Sequence, residues 1–233
     1  MHPKEYERSL FRTGTIAFIL GIVIFLVSTI FRPSREDPTN HLRVFAEYAQ
    51  SNIWIAAHIG QLAGGLLVFG GGFVALYRFL GQTSESGLVS ALAWLGLAAT
   101  ILTAGTLVIL TSCRWNLTKE GGGFMGHCSP DGKAAFRVAE GIRWIEIGTA
   151  SIQGATGIVF GVAIAIKRGA FPRWVGGIGI LACILTMNDG ISVAYTGFAS
   201  SHLAATYELT YAVWTVIVGI YMWKRTMTQT VTP

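Results

Sequence analysis

The chain has 233 residues, 52% of them hydrophobic and only 12% charged, with a formal net charge of +5. A soluble domain usually carries about 25% charged residues, so this composition excludes an ordinary water-soluble globule and points to an all-α, polytopic membrane protein. The positive balance does not imply a nucleic-acid partner, because the basic residues lie mostly in connections and tails, where they orient the chain and meet anionic lipid.

A span needs about 20 mostly apolar residues. Six runs meet that length: about 14–31, 53–80, 88–112, 144–166, 174–194 and 203–223. The expected fold is one six-transmembrane-helix bundle with two long connections, 32–52 and 113–143.

The first run follows Lys4, Arg8 and Arg12, as a signal peptide would. Its apolar stretch exceeds the usual h-region and "STIFRPSRED" has no small-x-small cleavage site, so it reads as a retained span. The 32–52 connection holds "HLRVFAEYAQ", with Leu42, Phe45 and Tyr48 at helical spacing.

The second run carries His58 and Gln61 near its start and the triplet Gly70 to Gly72 further on. Gly60 and Gly64 are four apart here, as are Gly157 and Gly161 in the fourth run. Small residues at that spacing let helices approach closely, either within the chain or at a homo-oligomer or larger-complex interface.

The 113–143 connection contains the Gly-rich "EGGGFMGHCSPDG" and then "AAFRVAEGIRW", a helical lead-in to the fourth run. Cys113 and Cys128 both fall on this side and are candidates for a disulfide, which an oxidising compartment permits. Cys183 lies inside a span and reads as a small buried residue. With His127 the two outer cysteines make three soft ligands, without the paired spacing of a zinc site.

The fourth run opens with Arg143 and Glu146, the fifth ends through "TMNDG" at Asp189, and the sixth carries Glu208 about five residues in. Because successive spans alternate in direction, His58, Glu146, Asp189 and Glu208 fall within roughly 10 Å of one membrane face at 1.5 Å per residue. Gln61 and Arg143 accompany them. Ionisable groups in hydrocarbon face the bundle interior and pair, or line a water-filled cavity.

That layer admits several chemistries. It is a candidate ligand or ion site. One imidazole and three carboxylates form a candidate metal set for Zn, Fe or Cu, or for the harder Mn, Mg and Ca. His58 with His202 could hold one b-type haem. Structural pairing is the competing reading: Glu146 and Glu208 lie in first helical turns, which favour negative charge, and Arg143 is one turn from Glu146. No GxSxG, SxxK or HExxH pattern supports nucleophilic or metallopeptidase catalysis.

Spans two and four align: "HIGQLAGGLLVFGGGFVALYRFLG" from His58 and "EIGTASIQGATGIVFGVAIAIKRG" from Glu146. Spans three and five share "ATILT" and "ACILT". The pattern suggests a duplicated helical hairpin with His58 and Glu146 at equivalent positions.

The basic residues of the other face, among them Arg78, Lys167, Arg168, Arg173, Lys224 and Arg225, place both termini in the cytoplasm by the positive-inside rule. The segments "HIGQLAGGLLVFGGGFVALYRFL", "FRVAEGIRWIEIGTASI", "FPRWVGGIGILA" and "DGISVAYTGF" resemble a family of small six-span bacterial integral membrane proteins known as a domain of unknown function. The resemblance covers roughly residues 50–200. It implies a bacterial inner-membrane protein and brings no reaction or cofactor with it. Three functions remain open: a non-enzymatic protein with an outer-side polar pocket, an accessory or assembly subunit of a larger membrane complex, and a metal or haem redox protein.

Overall fold

The computed structural model describes residues 3–31, 52–82, 86–124, 133–167, 169–196 and 201–228. Helix α1 (Pro3–Ile30) is followed by α2 (Asn52–Leu66), which passes through a π-helical segment, Leu67–Phe73, into α3 (Val74–Gln82). Then come α4 (Gly87–Phe124), α5 (Lys133–Ile166), α6 (Arg173–Thr196) and α7 (Ser201–Thr228). No strand occurs among the described residues.

Among the described residues five stretches are long and apolar enough to cross a membrane: Glu5–Ile30, Ile55–Gly81, Gly87–Cys113, Trp144–Ile166 and Arg173–Ser192. Helix α7 is 28 residues long and is not one of these five. The connection expected over 113–143 is largely helical, since α4 runs on to Phe124 and α5 begins at Lys133. No proline interrupts either extension, and the end of an apolar run does not end a helix.

The rods close into a ring. Helix α1 packs on α2 and its π-helical continuation and on α7, α7 packs on α6, α6 on α5, α5 on α4, and α4 returns to the α2–α3 rod. Large apolar side chains on the outside, such as Leu20, Val23 and Val27 on α1 and Ile101, Leu102 and Ile109 on α4, are exposed. In lipid this is the expected finish, since the tails are as apolar as leucine. Trp144 and Trp174, exposed at the starts of oppositely running spans, suit the aromatic belts of the two interfaces.

Aromatic rings fill half of the ring's interior. Phe73 is fully buried and touches Phe18 on α1 at 5.2 Å, Phe160 on α5 at 5.1 Å and Trp214 on α7 at 5.9 Å. The π-helical turn is built on the Gly70–Gly72 triplet, where wide backbone geometry meets little side-chain bulk. The Phe18 ring seats directly over Gly72. The expected small-residue contacts are made inside the chain: Gly60 faces Ser28, Gly64 faces Gly21, Gly157 faces Cys183 and Gly161 faces Gly176.

The basic end of the bundle is held by one buried cation. Lys167 is 5% exposed, and its ammonium donates to the carbonyls of Phe79 at 3.1 Å and Leu80 at 2.8 Å. Those carbonyls lie in the last turn of α3, where a helix leaves acceptors open. Gly169, with φ of 80°, turns the chain from α5 into α6, and Arg225 donates to its carbonyl at 3.3 Å. Burial first, and the Arg225 charge second, lower the Lys167 ammonium from 10.5 to about 8. Between about 8 and 10.5 the folded chain therefore holds fewer protons at Lys167 than the unfolded chain. Raising the pH through that window favours folding, with a slope of at most about 1.4 kcal/mol per pH unit. Detergent unfolding of the native chain and Lys167→Met at several pH values is expected to show their difference moving in favour of the native chain above about pH 8. A difference that does not change with pH would contradict it.

Candidate functional site

At the end opposite Lys167 the ring is not filled. A cavity of about 160 Å³ opens between the second half of α1, the start of α2, the middle of α4, the membrane part of α5, the end of α6 and the start of α7. His58 and Gln61 reach it from α2, Glu146 from α5, Asp189 from α6 and Glu208 from α7. Five of the six candidate side chains thus line one space. Alternating helix direction brings them to one end, and helical phase turns them inward. Arg143 lies in α5, one turn before Glu146, and its side chain falls outside the described residues.

Burial differs among them. His58 is 4% exposed and Asp189 is 7% exposed, whereas Glu146 and Glu208 are half-buried. Gln61 donates its amide N–H to the Thr29 hydroxyl on α1 at 3.0 Å, which ties the α2 rim to its neighbour. The cavity is polar at this rim and aromatic at depth, where Phe69 and Tyr211 stand beside Phe73.

Sequence reasoning missed half of the polar lining. Thr149 and Gln153 follow Glu146 on the same face of α5, Thr186 precedes Asp189 by one turn, and Tyr207 and Tyr211 flank Glu208. The signal was available: Thr149, Thr186 and Tyr211 lie three residues from a recognised group, Tyr207 lies beside one, and Gln153 lies two turns from Glu146, so they share its face. The hydroxyl of Thr149 donates to the Ile145 carbonyl at 2.8 Å, and that of Thr186 to the Ala182 carbonyl at 3.0 Å. Their protons are spent on their own helices, so both oxygens can act only as acceptors toward the cavity. Tyr211 is 5% exposed, and its hydroxyl has no hydrogen-bond partner among the described residues.

No protein-family model, curated protein or solved structure matches the chain. What the cavity can do is read from its own chemistry.

Among the described residues no three His, Cys, Asp or Glu side chains stand close enough together to hold a metal ion. His58, Glu146, Asp189 and Glu208 share the cavity but do not converge closely enough to form such a set. His202, the other haem-ligand candidate, has its side chain outside the described residues, as does Cys128 of the proposed disulfide. Cys113 is half-buried on α4, two residues beyond the lining residue Thr111. Thr103 on α4 meets Thr156 on α5 at 3.2 Å, a polar fastening between two walls below the cavity.

Proposed function

We propose that this chain is a non-enzymatic integral membrane protein that binds a small polar solute or ion in the cavity bounded by His58, Gln61, Glu146, Asp189 and Glu208. The observation that carries the reading is a space of about 160 Å³ where polar groups from four elements meet in an otherwise apolar bundle. These side chains border a void large enough for a small guest. In this reading α7 is the sixth span, its aromatic and hydroxyl side chains turned into the ring. The basic end, with Lys167, Arg173, Lys224 and Arg225, faces the cytoplasm with both termini, so the cavity opens to the outer side of a bacterial inner membrane.

The test is access. Gln153→Cys, in a chain whose three cysteines are replaced by serine or alanine, is placed in lipid nanodiscs and treated with a charged, water-soluble thiol reagent. Rapid modification is expected, compared with slow modification of Ala163→Cys, buried in the packed half. Equal, slow reaction at both positions would show a cavity closed to water and end the proposal.

A further inference from the structure

We infer that the seam between α1 and α7 at the basic end of the bundle binds an anionic phospholipid, with Arg8 and Arg12 holding its phosphate. The site lies at the end opposite the cavity and does not depend on what the cavity binds.

Depth puts these residues among lipid headgroups. The apolar part of α1 runs from about Gly14 to Ile30. At 1.5 Å per residue that is about 25 Å, close to the roughly 30 Å of the hydrocarbon core. Arg12 and Arg8 therefore lie within about 10 Å outside the hydrocarbon, at the level of the phosphates. Trp223 on α7 stands at the same level, with the Arg12 guanidinium 5.5 Å from the centre of its ring. Tryptophan is enriched at that interface.

The Arg12 charge is held in place without being neutralised. Its guanidinium donates to the Met227 Sδ at 3.6 Å and lies over Trp223, both of them uncharged groups. Arg8 precedes it by one turn on the same face of α1, a spacing at which like charges repel. The Nε–H groups of both residues are shielded from solvent and meet no acceptor among the described residues. A phosphate set between the two guanidinium groups would relieve the repulsion, and the planar fork of arginine matches its oxygens. The surrounding field has the same sign. Arg78, Arg173, Lys224 and Arg225 belong to this end, and Glu5 and Glu7, the acids at the start of α1, already have partners.

Below the guanidinium groups the seam turns aliphatic, as a lipid does below its headgroup. The Thr15 hydroxyl donates to the Gly219 carbonyl at 3.1 Å and joins the two antiparallel helices. Ile16 and Ile220, the residues after these two, are both exposed. At about 100° per residue, helical phase turns Arg12, Ile16, Trp223 and Ile220 to one side of that contact. Leu20, one turn beyond Ile16, is exposed and continues the stripe. One side of the seam thus presents two cations at headgroup depth above an apolar track for an acyl chain.

The experiment is native mass spectrometry of the full chain released from nanodiscs of equal phosphatidylglycerol and phosphatidylcholine with the same acyl chains. Retained lipid is expected to be enriched about fivefold or more in phosphatidylglycerol. The pair Arg8→Gln and Arg12→Gln is expected to abolish the enrichment. The pair Arg78→Gln and Arg173→Gln, which removes the same charge from exposed positions of the same end, is expected to keep it. Arg12→Lys, which keeps the charge and loses the fork, is expected to lower it about twofold. No enrichment in the native chain would overturn the inference. Equal loss in the two pairs would also overturn it, because the attraction would then belong to the whole positive surface. If the Arg8 and Arg12 pair weakens the fold, Arg8→Gln alone decides: enrichment cut by about half or more supports the site, and unchanged enrichment overturns it. A phosphate ion retained from phosphatidylcholine discs supplied with inorganic phosphate, without any preference for phosphatidylglycerol, would overturn the lipid as occupant.

Discussion

Gly176→Ala is expected to destabilise the bundle, while Gly177→Ala, one residue away, is expected to leave it unchanged or slightly stronger. A Cβ at Gly176 would strike the Gly161 carbonyl, with the Ala165 amide at 2.7 Å and the Ala165 Cβ at 2.8 Å. The contact is reciprocal: a Cβ at Gly161 would lie 2.9 Å from the Gly176 carbonyl and 3.1 Å from the Ile180 amide. These obstacles are backbone, which cannot swing aside as a side-chain tip can, so α5 and α6 must move apart. At Gly177 a Cβ meets nothing within 4 Å. Overpacking in a well-packed core costs about 1–3 kcal/mol, and in lipid the loss matters more because packing itself holds helices together. Gly177→Ala gains up to about 1 kcal/mol of helix propensity. Unfolding of both variants in mixed micelles, followed by tryptophan fluorescence, measures the contrast. Similar stability in both would mean that α5 and α6 do not meet as closely as described.

That contrast marks the limit of what the sequence discloses. The spacing of Gly157 and Gly161 announced a close approach, but Gly176 and Gly177 look alike in the chain. Which of them faces α5 depends on helix phase and on the partner's position, neither of which is local. The same holds at Gly70–Gly72. The triplet was visible as missing bulk, yet nothing local announces that Phe18 from α1 seats over Gly72 in the π-helical turn. Long apolar runs declared the membrane class because hydrocarbon permits only internally bonded helices or closed barrels. Span ends were less legible, since α4 continues to Phe124 past the apolar run that revealed it.

The cavity was legible in part for a similar reason. Charged residues are costly in an apolar run, so His58, Glu146, Asp189 and Glu208 stood out, and alternating direction put them at one end. Thr149 is cheap in a membrane helix because its hydroxyl bonds to its own backbone, and Gln153 carries no charge, so neither stood out. Tyr211 looked like one more aromatic residue of the sixth run. Its importance comes from where it stands, between the aromatic core and the void, and only the closed ring reveals that.

Phe73→Ala should then be the substitution that damages both fold and cavity. Phe73 is fully buried, and it connects its own rod with α1, α5 and α7 through Phe18, Phe160, Tyr211 and Trp214. Transfer from water contributes little here, because the separated helices would still lie in lipid. The loss is one of packing. A void on the order of 100 Å³ at about 24 cal/mol per Å³ gives roughly 2 kcal/mol, and the lost ring pairs add about 0.5–1.5 kcal/mol each where their geometry is favourable. Phe69, stacked on Phe73 at 5.4 Å with an interplanar angle of 12°, loses its support, and Tyr211 loses a neighbour at 6.4 Å. Both belong to the cavity wall. The expected result is a drop of about 2–4 kcal/mol in unfolding free energy, with a changed rate of Gln153→Cys modification under conditions where the variant is still folded. Phe73→Leu, which restores part of the volume, should recover much of the stability and less of the native modification rate, because a branched aliphatic chain cannot stack on Phe69. A Phe73→Ala variant within about 0.5 kcal/mol of the native chain, the range of an ordinary surface change, would refute the aromatic cluster as the element that holds the ring together beneath the cavity.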